Sequence, residues 1–203
     1  MPRTPEVRHF HGRATVRRTA TAAATVLLLV AAACGSEAAP PEAAAAAPIP
    51  AGALPGTPGE AIALDVQAVA AAAIAPGELE TLLLDAGFEG GWERTFSKAT
   101  GGRRRMLARV LEFETAAGAE RYVRWLSDHV EEVIGDASRD PDLEAPDGGA
   151  VYVHEPDPCC HNETRIFLAI WSAGERAITL EIAGQAAHAS GVNELVAKLD
   201  AAM

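Results

Sequence analysis

Residues 154–161 read His-Glu-Pro-Asp-Pro-Cys-Cys-His, the densest gathering of thiols and imidazoles in the chain. Adjacent thiols at Cys159 and Cys160 can join in a vicinal disulfide. The ring so closed is strained, needs a distorted peptide unit, and is reduced more readily than a relaxed bridge. The same stretch offers a second chemistry. Cys159 and Cys160 with His154 and His161 make a soft set of two thiolates and two imidazoles, suited to zinc or copper(I). Against capture of one tetrahedral ion, zinc-binding cysteines usually stand about two or more residues apart, and these are neighbours. Intermolecular disulfides and free thiols are the remaining states.

Other reactive groupings are more diffuse. Asp136, Asp140, Asp142, Glu144 and Asp147 supply hard oxygen ligands of the kind calcium takes. They lack the spaced order of an EF-hand loop, and two prolines among them suit a solvated loop. Arg103, Arg104 and Arg105 follow a glycine pair and are the one concentration of positive charge after residue 34. They are the candidate anion-binding cluster, for a headgroup, a wall polymer or a partner's carboxylates, with a solvated turn as the alternative. His129 lies one helical turn after Trp125 and is expected to pack or hydrogen-bond there. Trp92, Trp125 and Trp171 read as core or sheet cover, and a groove between sheet and helix is where an apolar ligand would lie. No Gly-x-Ser-x-Gly, Ser-x-x-Lys or His-Glu-x-x-His motif, phosphate-binding glycine loop or dinucleotide fingerprint occurs. Cys160 and His161 are neighbours in sequence without a third group to orient them. The expectation is a protein that is not an enzyme and holds no cofactor.

The compartment decides what the thiols do, and the N-terminal segment bears on it. Arg17 and Arg18 precede an apolar core around Val26–Val30 of roughly a dozen residues, where a spanning helix needs about 20. Ala31, Ala32 and Ala33 then lead to Cys34; such small residues let an extended backbone enter a peptidase cleft. The stretch resembles the bacterial lipobox, with Ala31 where leucine or valine is more usual. That resemblance implies cleavage before Cys34, so that residues 1–33 form a signal peptide and Cys34 is the lipidation site. The alternative is an ordinary secretory signal that leaves Cys34 a free thiol. Lipidation would anchor the chain on the extracytoplasmic face of the cell membrane, each buried CH₂ contributing about 0.8 kcal/mol. In that oxidising setting Cys159 and Cys160 have no third cysteine to pair with.

Removing residues 1–33 takes away five of the 17 basic residues and one of the 28 acidic ones, leaving 12 against 27 and a net charge of −15. Nucleic acid is excluded as a partner, because no basic footprint exists to neutralise phosphates. Adhesion to anionic lipid is likewise left to the acyl chains. Residues 34–60 are nearly all Ala, Pro and Gly, with prolines at 40, 41, 48, 50, 55 and 58. They read as the lipidated cysteine and a tether of reach on the order of 25–75 Å. Residues 61–203 are then a single domain with one core.

In that domain the spacing of Ile62, Val66, Val69 and Ala73 predicts a helix over 61–75, although a strand over 62–66 fits nearly as well. Pro76 opens a second helix that buries Leu79, Leu82, Leu83 and Ala86 and stops at Gly87. Strands are predicted over 88–98 and 104–115, turning on Gly101 and Gly102, the second of them inside the sheet because both its faces are apolar. Thr115 is expected to cap a long helix over 116–134. After a polar loop over 135–149 come a short strand at 151–154, the cysteine-bearing loop, and a hairpin over 165–171 and 175–182. In the hairpin Ile178, Leu180 and Ile182 face inward while Thr179 and Glu181 face out. Ser190 is expected to cap a last helix carrying Val192, Leu195, Val196 and Leu199. The fold class is therefore α+β: an antiparallel sheet from two ββα-type units, with helices packed on one face.

The stretches GFEGGWERTF (87–96), RVLEFETAAGAERYVRWL (109–126) and FLAIWSAGERAITLEIAG (167–184) resemble uncharacterised lipoproteins of high-GC actinobacteria. More loosely, the strand-helix plan is similar to extracellular sensor domains of actinobacterial Ser/Thr kinases. The leading expectation is a non-enzymatic, lipid-anchored binding or interaction module of the cell envelope, its partner an envelope protein or a small molecule. The alternatives are a thiol or soft-metal protein built on Cys159 and Cys160, and a carrier of an apolar ligand.

Overall fold

A computed structural model describes residues 49–73, 75–98, 104–156, 164–184 and 189–203; the side chains of Lys98, Arg104 and Ser190 lie outside the description. The expected signal peptide, Cys34, the tether up to residue 48, Arg103, Cys159, Cys160 and His161 also lie outside the described residues. In chain order the strands are β1 (Thr57–Leu64), β2 (Phe88–Lys98), β3 (Arg104–Phe113), β4 (Ala137–Arg139), β5 (Ala150–His154), β6 (Ile166–Ala173) and β7 (Arg176–Ala183). The helices are α1 (Val66–Ala71), α2 (Pro76–Asp85), α3 (Ala116–Asp128), α4 (Val130–Ile134) and α5 (Val192–Ala202). All strands join one antiparallel sheet in the order β1-β2-β3-β7-β6-β5-β4. The expected hairpins β2–β3 and β6–β7 thus meet at the centre, where Arg109 stands opposite Thr179 and Val110 opposite Ile178.

Alternation along the central strands sends two apolar sets in opposite directions. Met106, Ala108 and Val110 of β3 join Ile178, Leu180 and Ile182 of β7 and Phe167, Ala169 and Trp171 of β6 on one face, beneath Val192, Leu195, Val196 and Leu199 of α5. Leu111 and Phe113 join Leu168, Ile170 and Ala177 on the other, beneath α1–α4. At about 1.5–3 kcal/mol for each fully buried large side chain, both faces stabilise the sheet, which explains the unbroken apolar run at the start of β6. The α+β class and antiparallel sheet are as the sequence implies. The expectation of helices on one face holds for α1–α4, while α5 covers the other. Consequently Thr179 and Glu181, expected to face solvent, lie under the helical layer, with Thr179 only 9% exposed.

Local chemistry accounts for the remaining boundaries. The favoured helix over 61–75 is corrected: β1 pairs with β2, placing Ile62 opposite Glu93, and the helix starts only after Asp65, whose side chain accepts from the Ala68 N–H at 2.7 Å. Of residues 34–60, Ile49, Ala53 and Leu54 are buried in the α5-side core and Thr57–Glu60 lie in β1. Thr115 caps α3 as expected, its hydroxyl accepting from the Gly118 N–H at 3.1 Å. The single helix over 116–134 is instead two, since His129 leaves helical geometry at φ −111° and ψ 17°. The polar loop contains β4, an edge strand too short for its alternation to register. The last helix is capped by Gly191, not Ser190, after a 3₁₀ turn at Ala189–Gly191.

Candidate functional site

Where β3, β6 and β7 pass beneath the helices, the sheet does not meet them everywhere. A cavity of about 260 Å³ remains. Its floor is Leu107 and Arg109 of β3, Leu168 of β6, and Thr179 and Glu181 of β7; its walls come from Val69 and Leu79 and from Tyr122, Trp125, Leu126 and His129. The register fixes the floor: Glu181 stands between Leu107 and Leu168, and Arg109 between Glu93 and Thr179.

Arg109 is the centre of the polar part. Its guanidinium donates to Glu93 Oε2 at 2.9 Å, both side chains being 22% exposed. The Nε–H of Arg109 is buried with no hydrogen-bond partner, an unmet donor beside the cavity. Burial pushes the Tyr122 hydroxyl's pKa up, and the neighbouring Arg109, by its charge and as a hydrogen-bond donor, opposes that rise only in part. Among the described residues neither Glu181 nor Glu132, which also lines the cavity, has an ion-pair partner.

At the rim His129 stacks on Trp125, ring centroids 4.3 Å apart and planes 22° apart. Its Nδ1–H donates to the Trp125 carbonyl at 2.8 Å, which leaves Nε2 facing Glu78 Oε1 at 3.7 Å. Trp125 Nε1–H donates to the same Glu78 oxygen at 3.0 Å. The expected packing role of His129 is therefore met, and the pair forms an aromatic wall. The groove anticipated between sheet and helix exists, with Trp125 as its tryptophan. Trp171 is fully buried on the opposite face, donating to Asp200 at 2.9 Å, and Trp92 is a half-buried cover of that core.

The residues singled out from the sequence do not meet here. His154 ends β5, where its Nδ1–H donates to the Asp136 carbonyl at 3.1 Å. Its proposed co-ligands lie outside the described residues, among which no group of three His, Cys, Asp or Glu is placed to hold a metal ion. Arg105 is exposed near the start of β3. The acidic loop is tied down instead of open: Leu143 is buried, and the Glu144 N–H bonds to Asn193 of α5 at 3.2 Å. Sequence reasoning missed Glu93, Arg109, Tyr122, Thr179 and Glu181. A signal for the first pair was present, because a hairpin turning symmetrically on Gly101 puts Glu93 opposite Arg109.

No protein-family model and no curated protein matches the chain. In fold it is similar to the extracellular domain of PknH from Mycobacterium tuberculosis, with a TM-score of 0.50 and 13% identity, over 72% of this chain and 84% of that one. Among the described residues no helix is long and apolar enough to cross a membrane.

Proposed function

We propose that the protein is a non-enzymatic, lipid-anchored binding module on the extracytoplasmic side of the cell membrane. Its ligand occupies the cavity between the sheet and α1–α4. The observation that carries the reading is the cavity itself: an apolar-walled space of about 260 Å³ with an unmet Arg109 donor beside it and carboxylates at Glu132 and Glu181 that have no ion-pair partner among the described residues. Small-molecule sites are typically apolar with a few convergent polar groups. The ligand that fits has an apolar body and one end that both accepts and donates, such as a hydroxyl or an amide. Likeness in fold to an extracellular domain supports the location, and Arg17–Cys34 supports the anchor.

The test is organic extraction of the full-length protein purified from membranes, followed by mass spectrometry. A stoichiometric apolar compound should be released by the parent protein. It should be absent from Ala72→Trp, which puts an indole into the space from an exposed position on its wall. An empty parent protein, or equal loading of the variant, would sink the reading.

A further inference from the structure

α3 crosses the sheet with a second cavity on its other flank, of about 310 Å³ and different character. We propose that this pocket binds a small hydroxylated anion, a sugar acid or sugar phosphate, through Arg124 and Arg139. Arg124 comes from α3, with Ser127 and Glu120 along the same helix flank; Arg139 comes from the edge strand β4; Tyr152 and Ser172 come from β5 and β6.

Charge pairing points to the ligand. Arg109, Arg121, Arg165 and Arg176 each have a carboxylate within ion-pair distance. Among the described residues Arg94, Arg105, Arg124 and Arg139 have none, although acidic residues outnumber basic ones 28 to 17 in the chain, and of these four only Arg124 and Arg139 line this pocket. Two unpaired guanidinium groups converging on one cavity offer planar, forked donors that match a carboxylate or phosphate. The hydroxyls of Ser127, Tyr152 and Ser172 add neutral donors. Glu120 and Asp147 share the lining and would repel a bare anion, but they accept hydrogen bonds from hydroxyl groups. The set is therefore matched to an anion that carries hydroxyls.

The lip of the pocket is fixed in place. Gly149 N–H bonds to the Pro146 carbonyl at 2.9 Å, with φ of 49° at Asp147 and 76° at Gly148, the signs of a type I′ turn. Gly149 then presses on β6 so closely that a Cβ there would stand 2.4 Å from the Ile170 carbonyl oxygen. A larger residue cannot take that place without moving the turn.

The test is calorimetric titration of the full-length protein in detergent, at low salt, with glucuronate, glucose 6-phosphate, inorganic phosphate and glucose as probes. Glucuronate, glucose 6-phosphate or both should bind, telling a carboxylate from a phosphate source, with glucose silent and inorganic phosphate at least about tenfold weaker. Arg124→Ala and Arg139→Ala, both at exposed side chains, should each weaken the bound probe about tenfold or more, while Arg105→Ala leaves it unchanged. No binding of either sugar anion, phosphate binding as tightly as glucose 6-phosphate, or full affinity in the two arginine variants with native circular dichroism would overturn the proposal.

Discussion

Replacing Glu93 by methionine leaves the Arg109 guanidinium in the floor of the first cavity without its counter-charge. At about 4 Å between charge centres and an effective dielectric constant of about 20, the pair attracts by about 4 kcal/mol before desolvation is subtracted. Breaking a fully buried pair costs about 3–5 kcal/mol, and an exposed pair is worth about 0–1 kcal/mol. With 22% exposure on each side chain the pair lies between these limits. Glu93→Met and Arg109→Met are each expected to lower the unfolding free energy by about 2 kcal/mol, or roughly 4–8 °C in Tm. The double variant places two apolar side chains opposite each other, so its loss should not exceed that of either single change. Urea unfolding of all four proteins, repeated in a Tyr122→Phe background to remove the hydroxyl that Arg109 serves, gives the coupling energy. Additivity of the two single effects within about 0.5 kcal/mol would refute the argument that this ion pair organises the floor.

Tyr122 has a raised pKa in the folded protein, so the native state holds that proton more tightly; stability should begin to fall as pH rises through 10.0 and continue to fall up to the folded value. Tyr122→Phe should flatten the alkaline limb of a plot of unfolding free energy against pH. Gly118→Ala would set a Cβ 2.1 Å from the Ala86 carbonyl oxygen, so thermal unfolding should show a loss of at least about 2 kcal/mol. Cys34→Ala should release the protein from washed membranes if the sulfur carries lipid, and continued sedimentation with membranes would refute the anchor. Intact mass before and after reduction, with alkylation, should show Cys159 and Cys160 joined; a bound zinc or copper ion would favour the soft-metal alternative.

Strong local signals in the sequence carried through to the structure. Pro76 at the start of α2, Gly87 at φ 73° behind it, and Thr115 as the cap of α3 are each fixed by the chemistry of one residue. The strand around Leu107 was legible as an inner strand because two-sided burial leaves little room for polar residues, and the strand around Ile178 by its alternation. What was not legible depended on partners far away in sequence. Residues 57–64 became a strand because β2 offered an edge, outweighing a helical spacing made mostly of alanines. Thr179 and Glu181 alternate as surface residues would, and only the passage of α3 overhead converts that surface into a floor. The first cavity is for this reason absent from any single stretch of sequence. It arises from the register of β3 against β7 and from a helical layer that stops short of full contact.

A central strand of the sheet comes last in sequence among the described strands. β7 is the final strand, yet it lies between β3 and β6 and is bonded to both. A chain delivered N-terminus first therefore has the open edge of β3 waiting for a segment that has still to emerge. Neither half can complete its ladder beforehand, which calls for slow, non-local assembly and for protection of that edge against neighbours. Cutting the polypeptide before Arg176 would remove the seam between the halves.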